Sequence, residues 1–204
     1  SFLRGAIGAL TAPRLLGCGA SPTDLSGSGA ARLRARPWRP RERPLRGEVT
    51  QLGLDSPRDG LLYVPRSYLS ALPMPLLVVL HGAGGAADDW QSYWARAERY
   101  GMIVLAPESR GGTWDRIRGG WGPDVAFLDA ALTHTFERCR VDSSRIALAG
   151  FSDGASYALS LGAANGDLFS HLIAYSPGFY LPGQPTIGRP RIFVSHGTRD
   201  GIFS

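Results

Sequence analysis

Ser152 lies in Gly150-Phe151-Ser152-Asp153-Gly154, a G-x-S-x-G pattern. A serine hydroxyl in such a turn can attack an acyl carbon if the turn lifts it clear of a sheet edge. Side chains two positions away on either side would collide with neighbouring backbone, which is why Gly150 and Gly154 suit the turn. The pattern needs a buried strand before it and a helix after it, and RIALAG and DGASYALSLGAANG read as those two elements. Acyl transfer also builds negative charge on the carbonyl oxygen, and two backbone N–H groups aimed at that oxygen supply most of the stabilisation. One is expected from Asp153. The other is expected from the Gly-rich loop opened by His81-Gly82, through Ala83, with His81 orienting the loop. A Walker-type phosphate loop is excluded, because the chain lacks G-x-x-x-x-G-K-[ST] and has no Lys.

A carboxylate follows. In SHGTRDGIFS, Asp200 comes just past an apolar run and after Ser152 in chain order. From there it could hold an imidazole in one tautomer and stabilise its cation. The imidazole is harder to find. Of the four histidines, His81 belongs to the loop, His134 to a helix, and His171 to the start of a strand, at the opposite edge from Ser152. His196 alone stands near the right end. A general base must come within hydrogen-bond reach of the serine hydroxyl.

These residues need a scaffold. VTQLGLD (49–55) and LLYVP (61–65), joined by SPRDG, read as two antiparallel strands. PLLVVLHG (75–82) and MIVLAPES (102–109) are continuous apolar runs, the pattern of strands buried on both faces. RIALAG (145–150), HLIAYSP (171–177) and RIFVSHG (191–197) are three more short runs. Between them, DDWQSYWARAERYG (88–101) reads as a helix closed by Gly101. DVAFLDAALTHTFERC (124–139) reads as another, with Val125, Leu128, Leu132 and Phe136 at helical spacing and Asp124 suited to its cap. Strands alternating with helices imply a mostly parallel sheet covered on both faces. Trp90 and Trp94, at helical spacing, read as core. Trp114 and Trp121, in a Gly-rich loop, are the candidates for a substrate pocket.

Composition adds limits. Residues 1–46 hold nine Arg against Asp24 and Glu42, a net of +7, and residues 47–204 hold thirteen Arg against fifteen acids, a net of −2. All 22 basic residues are Arg. Selection for nucleic-acid binding would not exclude Lys, so an Arg bias of the genome explains the pattern more simply, and no nucleic-acid partner is expected. Pro37, Pro40 and Pro44 deny RLRARPWRPRERPLR a helix. Residues 1–46 therefore read as a disordered Arg/Pro/Gly-rich leader or tether. Within it, Leu15-Leu16-Gly17-Cys18 has the form of a lipobox, which would make Cys18 a lipidation site, although Pro13 and Arg14 interrupt the apolar region. Two readings stay open: a cell-envelope or secreted protein tethered through Cys18, or an incidental Cys on a cytoplasmic protein. Cys18 and Cys139 make neither a disulfide framework nor a metal site.

The combination of LLVVLHGAGG, DVAFLDAAL, VDSSRIALAGFSDGA and SHGTRD resembles the α/β-hydrolase superfamily of serine esterases. Within it, the resemblance is to the group of polyhydroxybutyrate depolymerases, feruloyl esterases and phospholipase/carboxylesterases, over about residues 60–204. It implies hydrolysis of a small-molecule carboxylic ester through a Ser-bound acyl intermediate, with no metal or organic cofactor. It carries Ser152 over as nucleophile, Asp200 as the acid of the triad, and Ala83 and Asp153 as oxyanion donors. In that group the catalytic His follows the last strand, and His196 matches a structural position. The expectation is therefore an α/β-hydrolase fold lacking its last strand and helices, with the base encoded beyond Ser204 and activity weak or absent in this form. The rivals are a hydrolase-fold protein that binds without catalysis, and a peptidase or thioesterase built on the same machinery.

Overall fold

A computed structural model describes residues 31–54, 57–181 and 185–201. Cys18 lies outside the described residues. Seven strands form one sheet: β1 (Val49–Gln51), β2 (Gly60–Tyr63), β3 (Met74–Leu80), β4 (Ile103–Pro107), β5 (Val141–Phe151), β6 (His171–Tyr175) and β7 (Arg191–Ser195). Their spatial order is β1-β2-β4-β3-β5-β6-β7. β1 and β2 run antiparallel, as does β2 beside β4, and every later pairing is parallel.

Three helices cover the sheet: α1 (Ser92–Tyr100), α2 (Pro123–Arg138) and α3 (Asp153–Ala164). Alternation along the strands splits the core in two, because successive side chains leave opposite faces. Leu77, Val79, Val104 and Ala106 pack with Ala97 of α1. Leu76, Val78, Leu80, Leu105 and Leu148 pack with Leu128, Leu132 and Phe136 of α2 and with Tyr157 and Leu161 of α3.

Three expectations change. The helix expected over 88–101 is a 3₁₀ turn, Ala87–Trp90, followed by α1, with Gly101 closing it in the left-handed region at φ 61°. Asp89 accepts the Ala86 N–H at 3.0 Å and tightens that entry. Asp124 does not cap α2: Gly122 holds that position and Pro123 opens the helix. The Asp124 carboxylate instead turns back to accept the N–H groups of Arg110 and Asp115.

The third change concerns the tether. Residues 31–36 are laid onto the body, with Ala31, Leu33 and Ala35 buried. The fully buried Asn165 side chain accepts the Leu33 N–H at 2.9 Å and donates to the Ala31 carbonyl at 2.7 Å. Asp129 takes the N–H groups of Arg34 and Ala35, and Asp167 takes the guanidinium groups of Arg32 and Arg36. Farther on, the Glu137 carbonyl accepts the N–H groups of Arg41 and Glu42. The segment satisfies its backbone polar groups on side chains instead of on a strand. Among the described residues β1 and β7 are the two edge strands of the sheet, and all five residues of β7 are exposed. Among the described residues, no helix is long and apolar enough to cross a membrane.

Candidate active site

Parallel pairing of Leu80 with Gly150 brings the ends of β3 and β5 side by side, so the loop after one meets the turn after the other. Ser152 is in that turn at φ 54°, ψ −120°, a conformation a non-glycine residue rarely adopts. Such strain costs about 1–3 kcal/mol and persists only where the surroundings over-determine it. Here they do. The Ser152 N–H donates to the Tyr175 carbonyl at 2.9 Å, and the Ser152 carbonyl accepts the Ser156 N–H at 3.0 Å. A Cβ at Gly150 would meet the backbone of Gly154, and one at Gly154 would meet the carbonyl oxygens of Leu80 and His81. The Ser152 hydroxyl has no hydrogen-bond partner among the described residues.

Asp153, at the first position of α3, accepts the Thr113 hydroxyl on its carboxylate at 2.7 Å. First-turn N–H groups of a helix lack intrahelical partners, which leaves that of Asp153 available. Across from it, several bonds pin the loop carrying Ala83. Gly84 donates to the Gly112 carbonyl at 2.6 Å, Gly85 to the Gly82 carbonyl at 3.1 Å, and His81 Nδ1 to the same Gly82 carbonyl at 2.7 Å. His81 Nε2 accepts the Ser109 N–H at 3.0 Å. With both nitrogens committed and the ring buried, the side chain is the neutral Nδ1–H tautomer. Burial, aided by the nearby Arg58 charge, holds its pKa below the ordinary histidine value. An imidazole in that state orients the loop and has no free nitrogen for Ser152.

The remaining imidazoles fall elsewhere. His171 opens β6 opposite Ala147, at the far end of the sheet from the Phe151–Tyr175 pairing. His134, on α2, lines a separate cavity with Arg43 and Arg138. His196 Nε2 lies 3.2 Å from Asp200 Oδ2, so the imidazole against Asp200 is that of its own turn, two strands away from Ser152.

Trp114 and Trp121 are core residues, not pocket walls. Trp114 is fully buried and stacks on Tyr157 with ring centres 5.1 Å apart, and Trp121 packs on the same ring at 5.5 Å. The polar groups of their loop are turned inward: Asp115 accepts the Tyr157 hydroxyl at 3.1 Å and the N–H groups of Gly122 and Asp124. The Trp114 indole donates to the His81 carbonyl at 2.9 Å, which ties the loop to the site.

An open cavity of about 360 Å³ borders the turn instead, walled by Gly82, Phe151, Trp90, Tyr93, Arg96 and Tyr175. Trp90 and Tyr93 meet edge to face at 5.0 Å, and the Arg96 guanidinium lies 5.0 Å from the Tyr93 ring centre. Burial and a hydrogen bond with Tyr175 push the Tyr93 hydroxyl up to about 12. Residues 90, 93 and 96 recur every three positions, a spacing that the core reading of Trp90 left unused. Arg58, Glu108 and Thr113 also went unnoticed, for their partners are distant in sequence. Among the described residues, no group of three or more His, Cys, Asp and Glu side chains is arranged to hold a metal ion.

A mixed sheet of this order, with a strained serine between a central strand and its helix, defines the α/β-hydrolase fold. The fluorophosphonate-binding serine hydrolase F of Staphylococcus aureus superposes with a TM-score of 0.53 at 16% identity, over 66% of this chain and 59% of that one. By sequence the chain is similar to feruloyl and acetylxylan esterases. It is 30% identical over 141 residues to feruloyl esterase B of Thermothelomyces thermophilus, covering 63% of this chain and 47% of that protein. It is also 30% identical over 140 residues to acetylxylan esterase A of Emericella nidulans, covering 63% and 45%. The chain thus spans less than half the length of either relative. No family model matches it.

Proposed function

We propose that this chain carries the nucleophile and oxyanion half of a serine esterase acting on small-molecule carboxylic esters. The observation that carries the reading is Ser152, held at a positive φ between β5 and α3 with its hydroxyl unengaged among the described residues. Its Oγ attacks the acyl carbon, and the N–H groups of Asp153 and Ala83 hold the oxyanion that forms. The cavity bordered by Phe151 and Trp90 receives one side of the ester. Collapse of that oxyanion breaks the ester C–O bond and expels the alcohol, which leaves with the proton lost by the Ser152 hydroxyl. Water then adds to the Ser-bound acyl group, releasing the acid and restoring the hydroxyl. The kinship to feruloyl and acetylxylan esterases supports an ester as substrate.

Asp200 is the acid that would orient the base, and in this chain it already holds His196. No described imidazole contacts Ser152, so turnover is expected to be slow, of the order that oxyanion stabilisation alone sustains. That same observation favours a second reading, a protein that binds esters in this cleft without hydrolysing them. Fluorophosphonate labelling with p-nitrophenyl acetate hydrolysis separates the two. Labelling that Ser152→Ala abolishes supports the enzyme, whereas absence of labelling at millimolar probe over hours leaves the binding protein.

A further inference from the structure

Arg58 lies in the β1–β2 connection, outside every motif of the nucleophile or the oxyanion loop. Its side chain nevertheless reaches both segments that shape the site. Nε donates to the Ser109 carbonyl at 2.7 Å, in the loop after β4. Nη2 donates to the Gly85 carbonyl at 2.7 Å, in the loop after β3. The same Nη2 stands 3.4 Å from His81 Nε2 and 3.5 Å from the Glu108 carboxylate. Glu108 in turn accepts the Ala87 N–H at 3.1 Å, so the oxyanion loop is gripped at Gly85 by the cation and at Ala87 by its counter-ion. The ring of His81 is enclosed by the same set, since the Ser109 whose carbonyl Arg58 holds gives its N–H to that ring.

We infer that Arg58 is a positioning residue for the acyl-oxygen site, clamping the Gly82–Ala87 loop against the Glu108–Ser109 segment so that the Ala83 N–H keeps its place opposite Ser152. The inference rests on the reading of Ser152 and Ala83 given above. A guanidinium suits the task because its donors diverge in one rigid plane and can hold two carbonyls at once. A lysine ammonium keeps the charge but not the fork. The clamp is also indirect: Arg58 bonds the carbonyls of Gly85 and Ser109, not Ala83 or Ser152.

The test compares the chain with Arg58→Lys and Arg58→Gln, by steady-state hydrolysis of p-nitrophenyl acetate and by hydrogen exchange of the 83–87 amides. Exchange at Ala155–Ala158 of α3 serves as the control for folding. Losing an oxyanion donor outright lowers kcat about 100- to 1,000-fold, so misplacing one is expected to lower it about 10- to 100-fold. The expected result is that loss in both variants, KM nearly unchanged, and faster exchange confined to 83–87. Wild-type kcat in Arg58→Gln overturns the inference, and a lysine variant equal to wild type overturns the two-carbonyl fork by assigning the effect to charge alone. Should the parent chain show no Ser152-dependent turnover, the esterase reading fails by itself. The exchange arm then decides the clamp: unchanged exchange at 83–87 in Arg58→Gln removes it.

Discussion

The Thr113 hydroxyl donates to the Asp153 carboxylate at 2.7 Å across forty residues of chain. It fastens the first residue of α3 to the loop that also carries Trp114. Thr113→Val removes the donor and keeps the shape, and Thr113→Ser restores the donor. We expect Thr113→Val to slow fluorophosphonate labelling of Ser152 about tenfold, equivalent to ~1.4 kcal/mol, while Thr113→Ser stays near wild type. Equal rates for all three proteins would show that Asp153 needs no such tether.

His81 predicts a pH dependence. Its folded pKa is lowered by burial below the unfolded value of about 6.5. Below that value the unfolded chain takes up a proton that the folded chain resists. Stability contributed by the neutral ring is therefore complete above about pH 6.5 and declines as the pH falls toward the folded pKa. Urea midpoints at pH 7.5 and 5.5 should differ more for wild type than for His81→Asn, which cannot titrate.

The 31–36 segment should be worth more than its composition suggests. Asn165→Ala leaves the Leu33 N–H and the Ala31 carbonyl without partners in a buried place, expected to cost about 2–4 kcal/mol. Limited proteolysis should then cut between Arg32 and Arg36 at protein concentrations where the wild type resists. Its outer clamp is acid-sensitive: Arg32 and Arg36 hold the Asp167 carboxyl well below the ordinary range. That contribution is intact above about pH 4 and is lost as the pH falls through the lower, folded value.

β7 offers a test of association. Ile192, Phe193 and Val194 are each more than half exposed on a strand whose outer edge pairs with no other strand among the described residues. Edges of that kind pair with other chains, and a charge on them opposes it. Phe193→Lys is expected to raise the monomer fraction in sedimentation velocity, and an unchanged distribution would clear β7 of any part in self-association.

Much of the scaffold could be read in advance because burial leaves a simple mark. LLVVL and IVLAP are apolar without alternation, since helices cover both faces of β3 and β4. The tight turn at Ser152 could be read because it demands Gly150 and Gly154 on geometric grounds. The failures have physical causes too. Trp114 and Trp121 sit in a run whose glycines suggest surface, yet Asp115 and Asp124 absorb its backbone N–H groups and let the indoles turn inward. The ARLRAR segment alternates apolar and charged residues, the mark of a half-buried extended chain, but its arginines suggested solvent. Arg58 left no local trace, since the carbonyls it holds are 27 and 51 residues away.

The Arg32–Asp167 clamp gives the molecule a direction. It lies just beyond the C-terminal end of α3, whereas Ser152 stands at the N-terminal end of the same twelve-residue helix, about 18 Å away. Ala31 and Arg32 therefore meet the domain at the end of α3 opposite Ser152. A solid support joined at Ala31 would leave the Ser152 end of α3 facing outward.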